Sequence, residues 1–173
     1  MKKDRVLVER HVIPKEDDMV GFERLKETLI KLLVADSRSA GLKHICVVGI
    51  GGSRKTNVYE SKKVLKMYDC HAWIPVSHSC KINKVLRSML KQLCKVRKQP
   101  DLLELDEGEV RDKLKKDLQR RRYLLVLDDV WGEDDWKSIV HALPQGSGGS
   151  KIIVTSPKHN LAKSCVGSSD YYC

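Results

Sequence analysis

The sequence predicts a three-layer α/β fold, in which a mostly parallel central sheet has helices on both faces. Three observations lead to this prediction. Segments with the apolar spacing of helices alternate with short apolar runs typical of strands, which is the pattern of β-α-β units. Residues 124–127 form a continuous apolar run, as expected of a central parallel strand that is covered on both faces. A glycine-rich run at residues 49–56 follows another apolar run, where such a fold turns from a strand into a helix.

The same spacings predict the order of the elements. The first helix is expected over residues 23–35, because its leucines recur on one face. Strands are expected at 44–49, 70–76, 123–128, 151–155 and 170–172, and further helices after Lys55, over 81–97, over the basic segment 111–122, around Trp136 to Val140, and from 158 to 164. A loop is expected at 101–109. Pro75 indicates that its strand lies at an edge or pairs irregularly, because proline cannot donate to the ladder.

The run at residues 49–56 is similar to a phosphate-binding loop. Such loops follow the pattern G-x-x-x-x-G-K-[ST], and their small residues let successive backbone N–H groups converge on phosphate oxygens. Lys55 is expected to bind the β- and γ-phosphates, and the Thr56 hydroxyl to bind Mg²⁺. Arg54 replaces the second glycine; it is expected to weaken binding without abolishing it, because arginine is itself a phosphate ligand. The candidate nucleotide-binding residues of this run are Gly49, Gly51, Gly52, Ser53, Arg54, Lys55 and Thr56.

Two carboxylates end the apolar run that begins at Leu124. Asp128 and Asp129 are expected to emerge at the carboxyl end of a parallel strand, where ligands bind in such sheets. Asp128 is a candidate Mg²⁺ ligand opposite Thr56, and Asp129 is a candidate catalytic residue that orients a water molecule near the γ-phosphate. The alternative, that the pair only ends a strand, is disfavoured by the phosphate-loop pattern upstream. Together the two segments predict a P-loop NTPase fold that binds a nucleotide with Mg²⁺.

Five segments in this order resemble a known family. They are Glu-Asp-Asp-Met-Val-Gly-Phe at 16–22, the run at 49–56, Tyr-Asp-Cys-His-Ala-Trp-Ile-Pro-Val-Ser at 68–77, the run at 124–131, and Ser-Lys-Ile-Ile-Val-Thr-Ser at 150–156. From about Ile13 to Tyr172 the chain resembles the NB-ARC nucleotide-binding domain of plant NLR disease-resistance proteins of the coiled-coil type. The order of five motifs is more specific than any one of them alone.

The resemblance implies a switch that exchanges ADP for ATP and is reset by slow hydrolysis. It also implies that Val20 lies against the adenine and that Asn57 lies near the α-phosphate, where relatives usually have Thr or Ser. Pro157 stands where relatives have an arginine that acts as a γ-phosphate sensor. Hydrolysis is therefore expected to be very slow or absent, and the chain is at most a slow ATPase.

Length and composition suit one domain. Residues 1–20 lack a strong period and are predicted to be a linker, and residues 21–173 are predicted to form the nucleotide-binding domain, incomplete at its C-terminal end. No apolar stretch approaches the 18 residues of a membrane span and no secretory signal is visible, so a cytoplasmic protein is expected. The six cysteines show no C-x-x-C spacing, which favours buried reduced thiols over a zinc site.

The net charge of +10 raises nucleic-acid binding as an alternative. In the densest basic segment, Val110, Leu114 and Leu118 recur every fourth residue, and no aromatic residues that could stack on bases are interleaved. The pattern favours a solvated amphipathic helix, so no specific nucleic-acid partner is expected.

Three functions remain open from the sequence. The first is an ADP/ATP-binding switch domain of a plant immune receptor, with the other domains of an NLR receptor or related immune proteins as partners. The second is a nucleotide-independent interaction fragment that acts on related receptors, which the residues at Arg54, Asn57 and Pro157 favour. The third, a P-loop kinase or ATPase of another class, is disfavoured because no segment supplies a substrate pocket or a lid.

Overall fold

Five parallel strands form one sheet in the spatial order β1-β2-β5-β4-β3. The computed structural model describes residues 6–8, 19–34, 42–48, 61–78, 81–94, 104–144 and 148–166. The strands are β1 (Val6–Val8), β2 (Lys43–Val48), β3 (Cys70–Pro75), β4 (Tyr123–Asp128) and β5 (Lys151–Ser156). The helices are α1 (Met19–Val34), α2 (Lys62–Leu65), α3 (Ile82–Leu93), α4 (Glu107–Leu118), α5 (Glu133–His141) and α6 (His159–Val166).

Helices cover both faces of the sheet, which confirms the predicted α/β fold class. Alternate residues of β4 point to opposite faces, as the pleat of a strand requires. Leu125 and Leu127 join the larger core cluster, to which α3, α4, α5 and α6 contribute. Leu124 and Val126 join the smaller cluster, in which they share a core with residues of α1 and α2. The continuous apolar run at 124–127 therefore reflects burial on two faces.

The N-terminal residues differ from the prediction. Val6–Val8, within the segment predicted to be a linker, form β1 and pair in parallel with Ile45–Val47 of β2. The first helix begins at Met19, four residues before the predicted start. Three apolar residues in a row were too short a run to be recognised as a strand by periodicity.

The basic helix α4 begins inside the predicted loop at 101–109. Asp106 is its N-cap: the Asp106 carboxylate accepts from the backbone N–H of Glu109, and the Glu109 carboxylate accepts from the backbone N–H of Asp106, both at 2.8 Å. This reciprocal capping box satisfies two N–H groups at the helix start. The acidic residues that indicated a loop are therefore the start signal of the helix. The strand predicted at 170–172 lies outside the described residues.

β3 lies at the edge of the sheet, as Pro75 predicted. Its outer side is closed at Trp73 by a side chain of α3: the Trp73 N–H donates to Gln92 Oε1, and Gln92 Nε2 donates to the Trp73 carbonyl, both at 3.0 Å. The amide of Gln92 thus takes the place of one residue of a neighbouring strand. Exposed strand edges invite pairing with other chains, and such a contact protects against it.

The amino end of the sheet, where the parallel strands begin, contains many polar contacts. The Asp69 N–H donates to the Arg122 carbonyl, and the Arg122 N–H donates to Asp69 Oδ2, both at 2.8 Å. The Arg122 guanidinium lies over the Tyr68 ring, 4.9 Å from its centre. Burial raises the pKa of Tyr68 to about 12, and the nearby Arg122 charge opposes the shift. Ser150 is fully buried, and its hydroxyl accepts from the Tyr123 N–H at 3.1 Å.

Among the helices of the described ranges, none is both long and apolar enough to cross a membrane. The four cysteines of the described part, Cys46, Cys70, Cys94 and Cys165, are free thiols. Burial also raises the pKa of the Cys94 thiol to about 12.

Candidate functional site

The carboxyl end of the sheet, where the strands finish, brings together the acidic pair and a threonine. β5 lies between β2 and β4, so Thr155 of β5 is next to Asp128, the last residue of β4. The Thr155 hydroxyl donates to Asp128 Oδ1 at 2.5 Å. Thr155 is 3% exposed, so its hydroxyl position is set by the surrounding core. The Asp128 carboxylate is therefore held in one orientation at the end of the strand.

Asp129 has a backbone conformation that few side chains adopt. Its φ of 62° lies in the left-handed region, and it is the one non-glycine residue with positive φ in the described residues. The conformation costs roughly 1 kcal/mol, although aspartate tolerates it better than most residues. Two hydrogen bonds to Thr155 compensate: the Asp129 N–H donates to Thr155 Oγ1, and the Val130 N–H donates to the Thr155 carbonyl, both at 2.9 Å. β5 therefore fixes the turn that carries both acids.

Thr155 is the functional residue that sequence analysis missed. Within the segment at 150–156, the sequence alone gives the threonine no role of its own. Its hydroxyl donates to one acid and accepts from the backbone of the next, so it orders the whole turn. The available signal was register: adjacent parallel strands that end together place Thr155 beside Asp128.

An aromatic residue and two basic residues lie beside this turn. Trp131 lies two residues after Asp129, and its ring meets the His78 ring edge-on at a centroid distance of 5.4 Å. The Lys158 ammonium lies 5.6 Å from the Trp131 ring centre, within the range of a cation–π contact. Pro157 precedes Lys158, and the Lys158 N–H donates to Ser156 Oγ at 3.0 Å. The loops after β3, β4 and β5 thus meet at Trp131.

Three of the predicted site residues, Val20, Asp128 and Asp129, lie in the described part of the chain. Asp128 and Asp129 lie together at the carboxyl end, as expected for strand-terminal acids. Val20 lies in the first turn of α1, the helix that connects the parallel strands β1 and β2. A helix that connects two parallel strands begins near the carboxyl end of the first strand, so Val20 is at the carboxyl end of the sheet. Gly49, Gly51, Gly52, Ser53, Arg54, Lys55, Thr56 and Asn57 lie outside the described residues. β2 ends at Val48, so the chain enters that run from the carboxyl end.

Asp128 has the chemistry of a magnesium ligand, although the described residues contain no group of three or more His, Cys, Asp or Glu side chains that could hold a metal ion. Mg²⁺ is a hard cation that is bound through one or two carboxylates together with water and phosphate oxygens. Asp128 is partly exposed and supplies such an oxygen. The hydrogen bond from Thr155 leaves the Asp128 carboxylate free to accept further bonds, because an ionised carboxylate has about four acceptor positions. β2 and β4 flank a single strand, so their carboxyl ends are about 10 Å apart, a span that a phosphate chain with its ion can bridge.

The sheet is parallel and has helices on both faces, and β5 separates the acidic end of β4 from β2, the strand that leads into a phosphate-loop sequence. This arrangement defines a P-loop NTPase type of domain. The model of the family described as the NB-ARC domain matches residues 22–172. The chain belongs to this family.

Relatives of the chain are plant disease resistance proteins. It is similar to the disease resistance protein RPM1 of Arabidopsis thaliana, with 35% identity over 154 residues that cover 85% of this chain and 16% of that protein. It is also similar to a putative late blight resistance protein homolog of Solanum demissum, with 32% identity over 159 residues that cover 90% of this chain and 12% of that protein. The chain thus spans less than a fifth of the length of these relatives.

Among solved structures, the chain is similar to the Aeropyrum pernix ORC2 protein in its ADPNP–ADP complexes. The TM-score is 0.45 and the identity 12%, over 91% of this chain and 45% of that one.

Proposed function

We propose that this chain is an ADP/ATP-binding molecular-switch domain of a plant disease resistance protein, with weakened nucleotide binding and very slow or absent hydrolysis. The observation that carries the proposal is the Thr155–Asp128 contact, which holds a carboxylate at the carboxyl end of the sheet, one strand away from the end of β2. Membership of the NB-ARC family supports a nucleotide as the ligand, and the run at 49–56 supplies the phosphate-binding sequence.

Each predicted residue has a role in this proposal. Lys55 binds the phosphates, aided by the backbone N–H groups of Gly49 to Thr56, and Asn57 lies near the α-phosphate. Thr56 and Asp128 bind Mg²⁺, which neutralises phosphate charge when it is bound. Asp129 orients the attacking water, and Val20 contacts the adenine. Arg54 lies among the phosphate-binding groups and lowers their affinity, because its side chain crowds a position where backbone must approach phosphate closely.

The residues that follow β5 are the reason to expect very slow or absent hydrolysis of ATP. Pro157 has neither a charged side chain nor a backbone N–H, so it cannot stabilise charge on a transferring phosphate. The next cation, Lys158, contacts the ring of Trp131. In a single-turnover assay with labelled ATP we expect a rate well below about 1 per second, a value ordinary for enzymes. A rate above that value would contradict this part of the proposal.

Calorimetric titration with ADP tests the binding function. We expect the Arg54→Gly variant to bind ADP about tenfold to a thousandfold more tightly than the wild-type chain, because removing the side chain restores the approach of phosphate to the backbone. The nucleotide that denaturation releases from purified protein should be ADP or ATP. Equal affinities in the two chains would show that position 54 does not limit binding.

The alternative is a nucleotide-independent fragment that docks onto a related receptor. The residues at Arg54, Asn57 and Pro157 favour it. Absence of nucleotide binding in both the wild-type and the Arg54→Gly chains, with retained binding to a related receptor, would establish this alternative. In either case we propose a cytoplasmic protein whose partners are immune-receptor domains.

A further inference from the structure

A buried lysine ties α1 to the sheet. Lys151 begins β5 and is 1% exposed, although its side chain ends in an ammonium group. Its Nζ donates to the carbonyl oxygens of Leu32 and Leu33 in the last turn of α1, the latter at 3.0 Å. More than a hundred residues separate the lysine from these carbonyls along the chain.

The last turn of a helix suits such a cation. The final four carbonyls of a helix have no partner within it, and together they carry about half a negative charge. An ammonium group has three donors and is costly to bury unless they are bonded. Lys151 and the end of α1 therefore satisfy each other, and separating them leaves both a buried cation and bare carbonyls without these partners.

Two further side chains support this contact. The Tyr68 hydroxyl donates to the same Leu33 carbonyl at 3.2 Å. The Tyr68 ring lies under Arg122, whose Nε donates to the Gly149 carbonyl at 3.2 Å. The end of α1 is therefore held from β5 and from the turn before β3. We call the group of Lys151, Tyr68 and the Leu32 and Leu33 carbonyls the helix anchor.

The helix anchor determines where the other end of α1 lies. Leu29 and Leu33 pack into the smaller core cluster on the sheet face, so the helix lies against the sheet. α1 has 16 residues and is about 24 Å long, and a six-residue strand such as β5 spans about 20 Å. A helix fixed at the amino end of the sheet thus extends as far as the carboxyl end, where Asp128 lies. Met19 and Val20 form the start of that helix.

We propose that Lys151 is a positioning residue, which docks α1 on the sheet and so places Met19 and Val20 beside the ligand at the carboxyl end. The docking of α1 stands on the contacts above. The effect on a ligand rests on the proposed nucleotide-binding function. In that function, α1 contacts the base of the nucleotide and not its phosphates.

The first experiment measures amide hydrogen exchange without any nucleotide. Lys151→Met keeps the length of the side chain and removes the charge. We expect amides of residues 26–34 to exchange about tenfold faster, because hydrogen bonds to charged groups are worth at least that factor, while β4 peptides keep their protection. Tyr68→Phe should give a smaller increase in the same peptides. Lys91→Met, at an exposed position of α3, is the matched control and should change nothing.

The second experiment compares two ligands by calorimetry. Lys151→Met should lower the affinity for ADP about tenfold, since the start of α1 is no longer held in place, and should leave the affinity for inorganic pyrophosphate unchanged. A change that only destabilises the fold would lower both affinities together. If the wild-type chain binds neither ligand, the proposed function fails, and the exchange experiment still decides the docking role.

Unchanged exchange of residues 26–34 in Lys151→Met would overturn the docking proposal. Equal losses for ADP and pyrophosphate would overturn its positioning part. Should Lys151→Met not fold, Tyr68→Phe replaces it in both experiments, and wild-type behaviour of that variant would overturn the proposal.

Discussion

The two ends of the sheet are built differently from the same strands. At the amino end, Lys151, Tyr68 and Ser150 are buried, and each polar group that they present meets a backbone partner. At the carboxyl end, Asp128 and Asp129 are partly exposed, and Asp129 has an unfavourable φ. One end therefore holds the fold together, and the other, in the proposed function, holds charged groups in place for a ligand. Backbone strain in a fold is commonly concentrated where ligands bind.

β5 joins the two ends. Lys151 at its start contacts α1, and Thr155 near its finish contacts both acids. The six residues of this strand are all buried, which is unusual for a segment that contains lysine, threonine and serine. Its polar side chains are hydrogen-bonded: that of Lys151 to the end of α1, that of Thr155 to Asp128, and that of Ser156 to the Lys158 N–H.

The largest effect should come from Thr155. Thr155→Val keeps the shape and removes the hydroxyl, so Asp128 loses a donor and the Asp129 N–H loses its acceptor. We expect a loss of about 3 kcal/mol in the free energy of unfolding, measured by urea denaturation. Thr155→Ser keeps both bonds and is the control, with a loss of about 1 kcal/mol for the methyl group. If the two variants were equally stable, the hydroxyl would have no part in ordering the turn.

Gly149 tests the amino end. Its φ is 95°, and a Cβ there would come within 2.9 Å of Arg122 Nε. Gly149→Ala should cost about 2 kcal/mol of stability through the strained conformation and the contact. In an Arg122→Ala background the same substitution should cost less, because the contact is gone. An undiminished cost in that background would assign the whole effect to backbone strain.

A glycine substitution at Asp129, at the carboxyl end, should stabilise the protein, whereas the substitutions at Thr155 and Gly149 destabilise it. Asp129→Gly relieves the positive φ, and the greater freedom of glycine in the unfolded chain offsets part of this gain, so the free energy of unfolding is expected to rise by at most about 1 kcal/mol, seen as a higher melting temperature. Asp129→Ala removes the carboxylate but keeps a Cβ, so it should give no such gain. A destabilised glycine variant would mean that the carboxylate itself supports the turn.

The smallest effect is a pH dependence at the amino end. The pKa of Tyr68 is about 12 in the folded protein, above its ordinary value of 10.0, so the neutral form is favoured on folding. This contribution is fully present below pH 10 and is lost as the pH rises towards 12. Wild type should exceed Tyr68→Phe in stability by about 1 kcal/mol at pH 7, and the gap should narrow above pH 10. A gap that stays constant up to pH 11 in thermal melts would contradict the assigned shift.

Sequence patterns predicted the elements that are long or buried on two faces. The strand 123–128 was predicted with its observed bounds, because an apolar run ending in two acids allows few other interpretations. The three residues of β1 carry too little pattern to indicate a strand, and the acidic residues at the start of α4 are as typical of a loop as of a capping box. The position of the two acids at the end of this strand agrees with the apolar run that precedes them. The sequence does not show that Thr155 is the partner of Asp128, because the register signal can be used only once β4 and β5 are known to be neighbours, and strand order is a property of the tertiary fold.

The most direct test of nucleotide binding at the carboxyl end is a calorimetric titration of ADP with and without Mg²⁺, using wild type and Asp128→Asn. The asparagine keeps an oxygen that can accept from Thr155 but lacks the negative charge. The proposal predicts that Mg²⁺ tightens ADP binding in the wild-type chain and has little effect in the variant. Identical Mg²⁺ dependence in both chains, or no ADP binding by wild type, would contradict it.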